Sequence, residues 1–146
     1  MKFKGSIEID RPQARVAELF ADPGNLKEFQ DGFIKKVLVS KQAGEEGAVS
    51  KMYYKFGKRD MELTETVIEN RLPDSFLASY HHKHMDNTMK STFVALGENK
   101  TRYDYEVEYT RVSWVIPKLM ITLFSAMFKK QSDKWMNQFK AFAEKS

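Results

Sequence analysis

Hydrophobic and polar residues alternate from the start of the chain: Phe3, Gly5, Ile7 and Ile9 against Lys4, Ser6, Glu8 and Asp10. A period of two sends successive side chains to opposite faces, so this stretch predicts a strand with one face buried. Asp10 then offers a helix cap ahead of Pro12, and Val16, Leu19 and Phe20 share one helical face over 12–21. Asp22, Pro23 and Gly24 break that helix, and Leu26 and Phe29 support a second short one ending before Gly32.

Six further strands follow, over 33–42, 48–57, 60–70, 75–84, 88–97 and 101–111. Turn sequences separate them: AGEEG after the first, GKRD with Gly57, RLPD with Pro73, MDN and GENK. Such lengths and turns predict an antiparallel meander. No strand–helix alternation is present, which disfavours a parallel α/β sheet. No repeat, low-complexity tract or interdomain linker interrupts the chain, so 1–146 is expected to form one domain.

The pattern changes period over 113–144. Ile121, Phe124, Phe128, Trp135, Phe139 and Phe142 recur at helical spacing and draw one apolar stripe down a long helix. Ser113 is the expected N-cap, with Pro117 inside the first turn. A second set, Ile116, Leu119, Met120, Leu123 and Met127, falls on another side of the same helix. Either the sheet wraps the first half more deeply, or these residues flank a pocket mouth, a homodimer contact or a peripheral membrane contact. The apolar run 112–128 is too short for a membrane span of about 20 residues, and Lys118 and Pro117 interrupt it.

Composition narrows the classes. The chain has no cysteine, which excludes disulfides and thiolate metal sites and fits a reducing, cytoplasmic setting. Its start, MKFKGSIEID, lacks the apolar segment of a secretory signal. The net charge of +4 is spread among acidic residues rather than gathered into a basic face, so no nucleic-acid partner is expected.

The run IEIDRPQARVAELFADPGNLKEFQDG, the GEEG turn, the strand-closing Pro73 and the terminal helix together resemble the START-related, birch-pollen-allergen-like and polyketide-cyclase-like superfamily. Members often carry a Trp near the end of the second short helix; here Phe29 or Phe33 must fill that role. The resemblance covers essentially the whole chain. It implies an α+β helix-grip fold: a curved seven-stranded antiparallel sheet around a long C-terminal helix, with two short helices between strands 1 and 2. It also implies an apolar cavity between sheet and helix. Members bind or transfer hydrophobic molecules, cyclise polyketides or assist chaperones, and fold alone does not choose among these.

Several residues could carry chemistry. Tyr103, Tyr105, Val107 and Tyr109 share one face of the last strand, offering apolar walls with hydrogen-bonding tips or ordinary core packing. Glu65 shares a face with Met61, Leu63 and Val67, and enters the cavity unless a bulge near Val67 and Ile68 turns it out. His82 and His84 have the spacing of two metal ligands, but no third is evident, so no metal is expected. No nucleotide or nucleophile motif is present, no cofactor is expected, and no catalytic residue can be assigned. The expected cavity is lined by Tyr54, Phe56, Glu65, Tyr103, Tyr105, Met120, Leu123, Phe124 and Met127, with methionines adapting to an irregular ligand. The leading expectation is binding or transport of a hydrophobic small molecule, lipid-like or polycyclic. The alternatives are a cyclase- or hydrolase-like enzyme and a chaperone-related or membrane-docking interaction module.

Overall fold

Alternation becomes a sheet because most strands hide one face; the edge strand over 33–40 is the exception, with Ile34, Val37, Leu38 and Val39 exposed. The computed structural model describes every residue, Met1–Ser146. Its strands are β1 (Lys2–Ile9), β2 (Phe33–Ser40), β3 (Val49–Phe56), β4 (Arg59–Arg71), β5 (Ser75–His81), β6 (Met85–Gly97) and β7 (Lys100–Val112). They form one antiparallel sheet in the order β1-β7-β6-β5-β4-β3-β2. Neighbours in sequence are neighbours in space, except that β1 closes against β7. Between β1 and β2 lie α1 (Gln13–Ala21), one 3-10 turn (Pro23–Asn25) and α2 (Leu26–Phe29). The long helix α3 spans Lys118–Lys145. This is the helix-grip architecture that the element order implied.

Two helix starts differ from expectation. Pro12, not Asp10, occupies the cap position of α1. α3 begins at Lys118 behind Pro117, not at Ser113. Proline disfavours a helical conformation in the residue before it, so the chain cannot enter the helix at Ile116. Ser113–Ile116 instead closes a turn (Ile116 N–H to Ser113 O, 3.0 Å), and Ser113 N–H donates to His84 O at 2.7 Å. The GENK turn is also tighter than expected, with β7 starting at Lys100.

The core sits at the C-terminal half of α3. Phe139, Met136 and Ala143 are buried against Ile9, Val16, Leu19, Phe29 and Phe93. Aromatic edges interlock there: Phe29 and Phe139 rings are 4.9 Å apart, Phe20 and Phe93 5.1 Å, Tyr103 and Phe139 5.7 Å. Such edge-to-face pairs add about 1 kcal/mol each beyond area burial. α3 approaches β1 and α2 closely over this half. Its first half lies over the opposite end of the sheet, where the concave surface is less completely covered.

Candidate functional site

The concave face is built by register. In β4, Met61, Leu63, Glu65 and Val67 point inward; in β5, Ala78 and Tyr80; in β6, Met89; in β7, Tyr103, Tyr105, Val107 and Tyr109. The anticipated bulge is present, between Val67 and Glu69. It leaves Glu65 inside, because Glu65 lies before it and keeps its pairing with Ser50 and Tyr80. The residue the bulge turns outward is Ile68, which is exposed.

Glu65 is the central feature. It is only 5% exposed, and both carboxylate oxygens are engaged. Lys36 Nζ donates to Oε1 at 2.7 Å, and Tyr80 Oη donates to Oε2 at 2.8 Å. A carboxylate this deep needs both partners, because charge without compensation is costly in a low-dielectric interior. Burial, and then the Glu65 charge, hold the Tyr80 hydroxyl well above its ordinary pKa. The same two causes raise Tyr54. Both phenols are therefore neutral donors over the whole physiological range. Tyr54 uses its proton on Gln30 Oε1 at 2.8 Å. Lys36 makes no other hydrogen bond, which leaves it two N–H groups for an acceptor.

α3 supplies the opposing wall. Trp135 stacks on Tyr54 (5.6 Å between centroids) and on Phe56 (6.4 Å). Trp135 Nε1 and, one turn earlier, Gln131 Nε2 are buried donors with no partner. Gln138 Oε1 also lacks one, although its Nε2 donates to Asp31 at 2.8 Å. Orphaned buried donors are rare in folded proteins, and a bound molecule or water is the usual explanation. Further along, Ile121, Phe124 and Phe128 face Tyr109, Met85, Val112 and Met1 across an all-apolar crevice of about 10 Å³, close to the room one water needs. A wider, open groove of about 490 Å³ runs at the β2–β3–β4 edge beside Tyr54 and Met61.

The expected lining is only partly brought together. Tyr54, Phe56 and Glu65 lie at the Trp135 stack and its polar floor, and Phe124 reaches the crevice. Tyr103 and Tyr105 point inward but are committed to the core. Tyr103 packs on Phe93 and Phe139, and burial pushes its hydroxyl up to about 12. Tyr105 Oη donates to Asp133 Oδ1 at 2.5 Å and so ties β7 to α3. Met120, Leu123 and Met127 do not line the interior; Leu123 is 57% and Met127 61% exposed. The sheet covers a single stripe of the helix, and at 100° per residue these three fall outside it. His82 is half-buried in the β5–β6 turn, its ring 5.9 Å from that of His84, and no group of three metal-ligating side chains occurs.

Sequence reasoning missed Lys36, Gln131 and the Glu65 pairing of Tyr80. Strict alternation from Phe33 would face Lys35 inward. A register shift between Phe33 and Lys35 turns Lys36 in instead. The only sequence signal for Gln131 was its place one turn before Trp135 on the inward stripe.

A scan of the sequence against protein-family models finds no match, and a comparison with curated proteins finds none either. Solved structures do match over nearly the whole of this chain. The ZhuI aromatase/cyclase of a Streptomyces species superposes with a TM-score of 0.81 at 12% identity, covering 99% of this chain and 93% of that one. A START superfamily protein of Mycobacterium smegmatis gives 0.78 at 9% identity, covering 99% and 97%. A ginseng major latex-like protein of Panax ginseng gives 0.78 at 12% identity, covering 98% and 97%. The class defined by the fold is that of helix-grip proteins. Within it, the chain has the fold of the START-related, birch-pollen-allergen-like and polyketide-cyclase-like superfamily.

Proposed function

We propose that this protein binds a hydrophobic small molecule, lipid-like or polycyclic, whose polar end carries a hydrogen-bond acceptor. The observation that carries the reading is the pair of unpartnered buried donors, Gln131 Nε2 and Trp135 Nε1, on the face of α3 turned to the sheet. Lys36 adds two uncommitted N–H groups on the sheet side. Half-buried Met61, Leu63, Tyr80, Met89 and Tyr109 supply an apolar wall that α3 does not fully cover. A few convergent polar groups in a mostly apolar concavity are what such sites require.

The test is to titrate a fluorescent fatty acid and a polycyclic probe into wild type, Gln131→Leu and Leu63→Trp. Saturable binding is expected. Losing one hydrogen bond of about 1 kcal/mol should weaken it roughly fivefold in Gln131→Leu. Leu63→Trp should weaken it further by filling the wall. Folded wild type that binds neither probe, and carries no co-purified molecule by native mass spectrometry, would sink the reading.

A second reading, an acid–base enzyme of the cyclase kind, has one observation in its favour: the chain Tyr80–Glu65–Lys36 joins a phenol, a carboxylate and an ammonium. Tyr80→Phe separates the two. The Phe ring keeps the apolar wall, so under the binding reading probe affinity should change by no more than one hydrogen bond is worth, about fivefold; under the enzymatic one turnover should fall at least about a hundredfold.

A further inference from the structure

We propose that the turn before α3 and the outer side of its first half form a docking face that seats on a bilayer containing anionic phospholipid. Trp114 is 92% exposed and Leu119 84%, with Val115, Leu123 and Met127 also open. Leu119, Leu123 and Met127 are spaced by four, so they form one stripe on the side of α3 away from Ile121, Phe124 and Phe128. Trp114 and Val115 add exposed apolar surface in the turn just before the helix start.

Charge selects the occupant. The chain holds 20 acidic residues, yet none falls between Glu108 and Asp133. The charges within that interval are Arg111, Lys118, Lys129 and Lys130. Arg111 and Lys129 are paired, with Asp86 and Asp133. Lys118 and Lys130 have no acidic partner, and both are exposed. Lys83 joins them from the β5–β6 turn, which is held beside Trp114 by the Ser113–His84 hydrogen bond. An apolar stripe with an aromatic tip and a rim whose unpaired charges are all basic, Asp86 and Asp133 being held by Arg111 and Lys129, matches the two layers of an anionic membrane surface, acyl chains beneath phosphates. A second copy of the chain fits poorly, since a two-fold contact would set the basic rim against itself. No helix is long and apolar enough to cross a membrane, so the contact lies on the bilayer.

The inference stands apart from ligand binding, because the face points away from the interior and vesicle binding is read without any ligand. The full chain is centrifuged with vesicles of phosphatidylcholine alone and of phosphatidylcholine with phosphatidylglycerol. Co-sedimentation with the anionic vesicles is expected, weakening as salt is raised. Tryptophan emission should shift to the blue on binding, and Trp114→Phe should abolish that shift. The exposed-face variant Leu119→Ser/Leu123→Ser should keep the wild-type melting temperature and bind at least tenfold more weakly, as should Lys118→Glu/Lys130→Glu. No binding to either vesicle by folded protein would overturn the proposal. Equal binding to neutral and anionic vesicles would overturn the anionic assignment. A wild-type dimer in solution that Leu119→Ser/Leu123→Ser converts to monomer would reassign the face to self-association.

Discussion

Removing Lys36 tests whether the interior is as dry as its geometry implies. In Lys36→Met the methionine keeps the length and apolar bulk of the lysine stem but withdraws the charge 2.7 Å from Glu65 Oε1. Breaking one half of a buried pair costs about 3–5 kcal/mol, because the remaining charge is left uncompensated. The Lys36 side chain is 21% exposed, against 6% for Glu65, so water offsets part of the loss on one side. The lower end, about 3 kcal/mol, is therefore expected. At about 2–4 °C per kcal/mol for a chain of this size, the melting temperature should fall by roughly 6–12 °C. The double variant Lys36→Met/Glu65→Met leaves no charge behind; it strands only the Tyr80 hydroxyl, at about 1–2 kcal/mol. The double variant should thus be more stable than the single by more than the roughly 1 kcal/mol that a solvated surface pair is worth. Urea unfolding followed by circular dichroism, fitted with a common slope, measures all three proteins. A Lys36→Met loss below about 1 kcal/mol, or a double variant less stable than the single, would refute the reasoning. Either result would mean that water reaches Glu65.

Two further perturbations test the packing. A methyl group on Gly5 would overlap the Tyr105 ring and lie 2.8 Å from Asp133 Oδ1, so Gly5→Ala should lower stability by about 1–3 kcal/mol in thermal unfolding, and Gly5→Ala/Tyr105→Leu should recover part of it. Stability should also fall at alkaline pH. Burial raises Tyr54, Tyr80, Tyr105 and Tyr109 and pushes Tyr103 up to about 12, above the unfolded value near 10. The neutral phenol is the folded form, so its contribution is complete below pH 10 and is lost as pH rises toward 12 and beyond. Tyrosinate absorbance from these residues should appear together with unfolding; full ionisation while circular dichroism stays native would contradict their burial.

The sequence by itself determined the fold, because periodicity is a local signal with a global consequence. Alternation in β1 and β7, helical spacing over Ile121–Phe142 and the Gly- and Pro-bearing turns each name an element, and their order admits a meander closed on a long helix. Tyr54, Phe56 and Glu65 were legible for the same reason: period two fixes a face once one neighbour is known to be inside. The partners of Glu65 were not. Lys36 turns inward only because β2 slips register against β3, and Tyr80 meets Glu65 only because β5 pairs with β4 at that position. Strand pairing is decided between segments far apart in sequence, and no local pattern encodes it. The same limit explains Met120, Leu123 and Met127. Periodicity shows that the first half of α3 is apolar on two sides, but how much of its circumference the sheet covers depends on the sheet's curvature and on the anchoring of the helix through Phe139 and Ala143. Those are properties of the packed molecule. They turn one apolar side into a wall of the interior and leave the other facing outward.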